Sequence, residues 1–89
     1  MVRLLTDGKY LIIDFNFNKE TIILIKEKLT GAVYDPSRKK WITALTLNNF
    51  YKIRKIFPDS YIDVSLRNYE WNDKFEGVIE YTPSLLIRA

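Results

Sequence analysis

Between Tyr10 and Phe17 apolar and polar residues alternate. Leu11, Ile13, Phe15 and Phe17 fall on one side, Asp14 and Asn16 on the other. A period of two marks a strand with one buried face. The shorter apolar run from Val2 to Asp7 leads into it through Asp7-Gly8, a dipeptide suited to tight hairpin turns. Val2 to Phe17 therefore reads as a β-hairpin.

From Asn18 the period becomes helical. Ile22, Ile25 and Leu29 form an inward stripe, with Lys26, Glu27 and Lys28 on the wet side. Asn18 is the expected N-cap, and Glu20 lies in the first turn, where the helix dipole favours negative charge. Phe17 and Ile22 occupy the positions of a hydrophobic staple. Gly31 is expected to end the helix in a positive-φ conformation, so the helix reads from Lys19 to Thr30. A second hairpin follows, Val33-Tyr34-Asp35 and Trp41 to Leu45, turned at Pro36 with Asp35 bonding the backbone ahead.

The next helix runs from about Leu47 to Phe57, capped by Thr46 or a neighbouring Asn and stopped by Pro58. Leu47, Phe50, Ile53 and Phe57 share its inward side. Asn48, Lys52 and Lys55 share the outer side, and Arg54 sits near the buried edge. Tyr61 to Leu66 alternates again, which predicts a fifth strand with Ile62, Val64 and Leu66 inward. Beyond Arg67 no single period organises Trp71, Phe75, Val78, Ile79 and Leu85 to Ile87. The expected fold class is α+β in the order β-β-α-β-β-α-β: a mainly antiparallel sheet with two helices packed on one face. Residues 67–89 are left as an additional strand, tail or linker. Their apolar end is expected to be the cut edge of a longer protein.

Eighty-nine residues with 47% hydrophobic content support a single domain, residues 1–89, with one core. No apolar run reaches the roughly 18 residues of a membrane span. The opening Met1-Val2-Arg3-Leu4-Leu5 gives way at once to Thr6-Asp7-Gly8 and lacks the pattern of a signal peptide. With no cysteine, an intracellular setting is expected, whether cytoplasm, nucleoid or nucleus, in a host or phage-encoded protein.

The chain has neither His nor Cys, which removes catalytic triads, cysteine nucleophiles and His- or Cys-ligated metal. Gly8, Gly31 and Gly77 are scattered and form no phosphate-binding loop. The carboxylate pairs Asp59 with Asp63 and Asp73 with Glu76 read as solvated loop charge. No enzymatic activity, cofactor or metal is expected.

The net charge of +3 is unevenly spread. Residues 1–35 balance to zero, and residues 59–89 are acidic. Residues 36–58 carry Arg38, Lys39, Lys40, Lys52, Arg54 and Lys55 with no acid among them. Such a block suits a polyanionic partner. Arg38, Lys39 and Lys40 at the hairpin tip are expected to contact phosphates, with Lys52, Lys55 and Asn48 on the second helix adding to the surface if the two adjoin. Tyr34 and Trp41 flank the tip, as core residues in the first instance and as stacking platforms in the second.

The segment Tyr34-Asp35-Pro36-Ser37-Arg38-Lys39-Lys40-Trp41, between the Leu24-Ile25-Lys26 helix and the Phe50-Tyr51-Lys52-Ile53 helix, resembles the HARP domain. HARP domains are accessory modules of annealing helicases and of phage and bacterial Swi/Snf-type helicases. The shared pattern is densest over Tyr10 to Phe57, and the HARP-like part extends over residues 10–66. The resemblance implies binding to single-stranded, junction or forked DNA, with DNA ahead of RNA, beside a helicase motor that is not in this chain. It also implies that Arg38, Lys39 and Lys40 touch DNA. The rival expectation is a protein-docking module using exposed aromatics of the acidic C-terminal third: Tyr69, Trp71 and Phe75.

Overall fold

The computed structural model describes residues 1–71. The expectations for Phe75, Val78, Ile79, Leu85 to Ile87 and the Asp73/Glu76 pair lie outside the described residues.

The first hairpin forms from β1 (Arg3–Thr6) and β2 (Tyr10–Asp14). Its turn is built as the Asp-Gly dipeptide suggests. Gly8 has φ +91°, while Asp7 Oδ1 accepts hydrogen bonds from the backbone N–H groups of Lys9 and Tyr10. Strand β2 ends three residues earlier than the alternation implies. The chain bends at Asn16, so Phe17 no longer follows the strand's facing; it is 83% exposed rather than inward.

Helix α1 (Lys19–Lys28) starts at Asn18, whose side chain accepts the Thr21 N–H at 3.0 Å. It closes without the expected left-handed glycine. Leu29 is the C-cap, its N–H bonded to Ile25 O, and Gly31 has no positive φ. Buried Leu29 anchors this end, so no left-handed turn is required.

The second hairpin is β3 (Val33–Asp35) and β4 (Lys40–Ala44), followed by α2 (Leu47–Ile56), where Thr46 Oγ1 accepts the Asn49 N–H. Next comes β5, which is only Tyr61–Ile62, and then a one-turn helix α3 (Val64–Arg67). The predicted strand Tyr61 to Leu66 is thus cut short, and the fold has three helices among the described residues rather than two. The cause is local. Asp63 Oδ2 accepts the Ser65 N–H and caps a new turn. The Ser65 hydroxyl then accepts the Thr6 N–H at 3.1 Å, taking the place of a strand carbonyl beside β1. Leu66 stays buried, while Val64 turns out to 59% exposure.

The sheet order is β3-β4-β2-β1-β5, antiparallel except where β5 runs parallel to β1. Two crossovers result: β2 to β3 through α1, and β4 to β5 through α2. They start on strands of opposite direction and move toward opposite edges. The right-handed rule for such connections therefore sends both helices to the same face. Register brings Leu4 opposite Ile13, Leu11 opposite Thr43, Ile13 opposite Trp41, and Tyr34 opposite Trp41 on that face. Ile25 and Leu29 of α1 join Phe50 and Ile53 of α2 on Leu4, Leu11 and Ile13 to make the core.

The other face of the sheet has no helix packed on it among the described residues. It carries an apolar row, Val33–Ile42–Ile12–Leu5, in direct cross-strand register. Beside that runs an ion-paired row in which Asp14 meets Arg3 at 3.1 Å and Lys40 at 3.5 Å. Asp63 also meets Arg3, at 3.8 Å, so two carboxylates face two cations and the row offers little attraction to a polyanion.

Candidate nucleic-acid interface

The hairpin tip brings Arg38, Lys39 and Lys40 together, but the fold treats the three cations differently. Arg38 bonds the carboxylates of Asp35 and Asp7, and its guanidinium lies 5.3 Å from the centre of the Tyr10 ring. Asp7 is 31 residues away and belongs to the other hairpin turn. The guanidinium thus clamps two turns together, with two carboxylates against its single charge. Lys40 pairs with Asp14. Lys39 alone of the three has no carboxylate partner among the described residues.

Lys39 also has φ +57°, the left-handed region. A β-carbon there costs about 1 kcal/mol, a strain glycine avoids. Lys39→Gly is therefore expected to raise stability by roughly 0.5–1 kcal/mol in thermal unfolding while weakening polyanion binding. A gain in both properties would show that the lysine side chain has no binding role.

The clamp sets a pH dependence. Asp7 has its pKa lowered to about 2 from an ordinary 3.8, first by the Tyr10 N–H, then by the Lys9 N–H and Arg38. Asp35 is also lowered, chiefly by Arg38. A carboxylate that is more acidic when folded stabilises the fold fully above its unfolded pKa. That contribution is lost as pH falls from about 4 toward 2. The Asp7 side chain is 33% exposed, so water screens the effect to on the order of 1 kcal/mol. Acid titrations monitored by circular dichroism are expected to show a shallower loss of stability in Asp7→Asn than in the parent.

Lys52 and Lys55 do not join the tip. They line a groove of about 400 Å³ between α1 and α2 with Leu24, Lys28 and Ile56. The depression beside the tip shares none of these residues. Lys28 was assigned only to the wet side of α1, because its position 24 residues before Lys52 gave no sign that the two meet. All three lysines are exposed, and none has a carboxylate partner among the described residues. Leu24 and Ile56 give the groove an apolar floor. Asn48 is exposed on the outer side of α2 but lines neither depression; Asn49 instead bonds Ala44 O at 3.0 Å. Arg54 is turned inward, donating to Ser60 O at 2.8 Å.

Tyr34 and Trp41 pair edge-to-face, with centroids 5.8 Å apart and planes at 66°. Trp41 packs against the core, while Tyr34 is 49% exposed. The docking candidates Tyr69 and Trp71 are both half-buried. Trp71 lies 5.6 Å from Phe50, and Tyr69 meets Trp71 edge-on at 4.9 Å.

Asp63, read from the sequence as solvated loop charge, instead caps α3, and its acidity is raised chiefly by the Ser65 N–H. No group of three or more potential metal ligands occurs among the described residues, and no helix there is long and apolar enough to cross a membrane. No family model, curated protein or solved structure matches the chain.

Proposed function

We propose that this domain binds nucleic acid, DNA in the first instance, through the phosphate backbone and with little sequence specificity. The reading is carried by the groove between α1 and α2, where Lys28, Lys52 and Lys55 converge without a neutralising carboxylate among the described residues. Three lysines lining one concave strip raise the local positive potential and suit phosphates spaced along a strand. Lysines act there as point charges, which position a backbone without reading bases. Lys39 adds a separate contact at the hairpin tip. Arg38 and Lys40 play a lesser part, since their charge is already met by aspartates. The resemblance of Tyr34 to Trp41 to HARP domains supports DNA as the partner and a remodelling motor as the setting.

Fluorescence anisotropy of labelled single-stranded, duplex and forked DNA across a salt series tests the reading. Binding through three or four lysines predicts a log–log salt dependence with a slope of about −2 to −4. Salt-insensitive binding, or none at low salt, would move the assignment to a protein partner.

A further inference from the structure

A second depression lies where the loop between β2 and α1 meets the β3–β4 hairpin. It is about 140 Å³ in volume, and its wall includes Phe15, Phe17, Ile22, Tyr34, Trp41 and Lys39. An apolar cavity of about 150 Å³ accepts a benzene-sized ring, so the space suits one planar heterocycle. Two of the lining rings are kept at the surface: Phe17 at 83% exposure and Tyr34 at 49%. Neither position is a by-product of a poor core. Phe17 stands clear of the sheet because β2 ends at Asp14, and Tyr34 is braced edge-on by Trp41, which is itself packed on the core.

We infer that this depression holds one unpaired base, stacked against Phe17 and Tyr34, while Lys39 contacts the adjoining phosphate. The inference rests on the nucleic-acid reading and deepens it, making an unpaired strand the preferred ligand. Two exposed aromatics next to a cation with no carboxylate partner among the described residues supply both components of single-strand recognition, a π surface and a phosphate contact. No acidic residue lines the depression to repel a phosphate. The neighbouring Asp35 is engaged by Arg38, and Asp14 by Arg3 and Lys40. A base held in a duplex presents no free ring face to such a wall. The arrangement therefore favours single strands, frayed ends and forks over intact duplex.

The deciding experiment compares an oligothymidine with an abasic strand of equal length and charge, by anisotropy against the whole chain. Stacking of one base is expected to make the thymidine strand bind about tenfold more tightly. Phe17→Ala and Tyr34→Ala are expected to remove that preference, bringing thymidine binding down toward the abasic level. Both side chains are solvent-exposed, and circular dichroism melting of each variant confirms that the fold persists. Lys39→Ala is expected to weaken both strands alike. Equal binding of the two strands by the parent overturns the base seat while leaving the phosphate reading intact. A preference that survives in both aromatic variants also overturns it, by placing the stacking elsewhere. Failure of both strands to bind at low salt overturns the nucleic-acid reading and the inference with it.

Discussion

Phe50→Ala is expected to lower the stability of the fold by about 3–5 kcal/mol, the cost of leaving a cavity where a large buried ring stood. Phe50 is 2% exposed and sits where α2 meets the sheet, with Tyr51 edge-on at 5.6 Å and Trp71 at the same distance on another side. Neighbours held by two helices and a sheet cannot collapse into the vacated space. A domain of this size has only about 5–15 kcal/mol in total. The variant is therefore expected to melt on the order of 20 °C lower. Phe17→Ala provides the contrast, since an 83% exposed ring leaves no cavity and should change stability by roughly 0.5 kcal/mol or less. Urea unfolding of the two variants together checks both statements. Similar losses would mean that Phe17 is part of the core.

The largest effect on binding is expected from replacing Lys28, Lys52 and Lys55 together by glutamine. Glutamine is close to lysine as a helix former, and all three positions are exposed, so the fold should be retained. Losing three phosphate contacts should make the salt slope shallower by about 2 to 3 and weaken binding at low salt by about a hundredfold or more, uniformly across sequences. Arg38→Gln should behave in the opposite manner. It removes the clamp on Asp7 and Asp35, so it should lower stability more than affinity. Salt-series anisotropy paired with thermal melting separates the two outcomes. If Arg38→Gln proves the more damaging to binding, the interface belongs at the hairpin tip and not between the helices.

The different surroundings of these cations show where reading along the chain reached its limit. The tip was visible as three consecutive cations between two aromatics, and the structure forms the hairpin at the expected place. Whether a cation is available to a partner depends on the nearest opposite charge in space. For Arg38 that charge includes Asp7, and for Lys40 it is Asp14. Both acids lie in a stretch whose balanced total hid their role. The sequence shows Lys28 only as part of the wet side of its helix for the same reason, because the lysines that share its groove come from another helix. Phe17 was placed inward by extending an alternation that the backbone abandons at Asn16.

The sequence by itself determined the succession of hairpin, helix, hairpin and helix, together with the cap at Asn18 and the turns at Gly8 and Pro36. Each depends on bonds between residues no more than four positions apart, or on a periodicity that shows within a few residues. Only the tertiary structure decided the order β3-β4-β2-β1-β5, the parallel pairing of β5 with β1 and the one-turn helix at Val64–Arg67. It also decided which lysines have a carboxylate partner among the described residues. The apolar stripes state that a face must be buried but not against which strand, and a charge acquires its partner only once the chain has brought distant residues within a few ångströms.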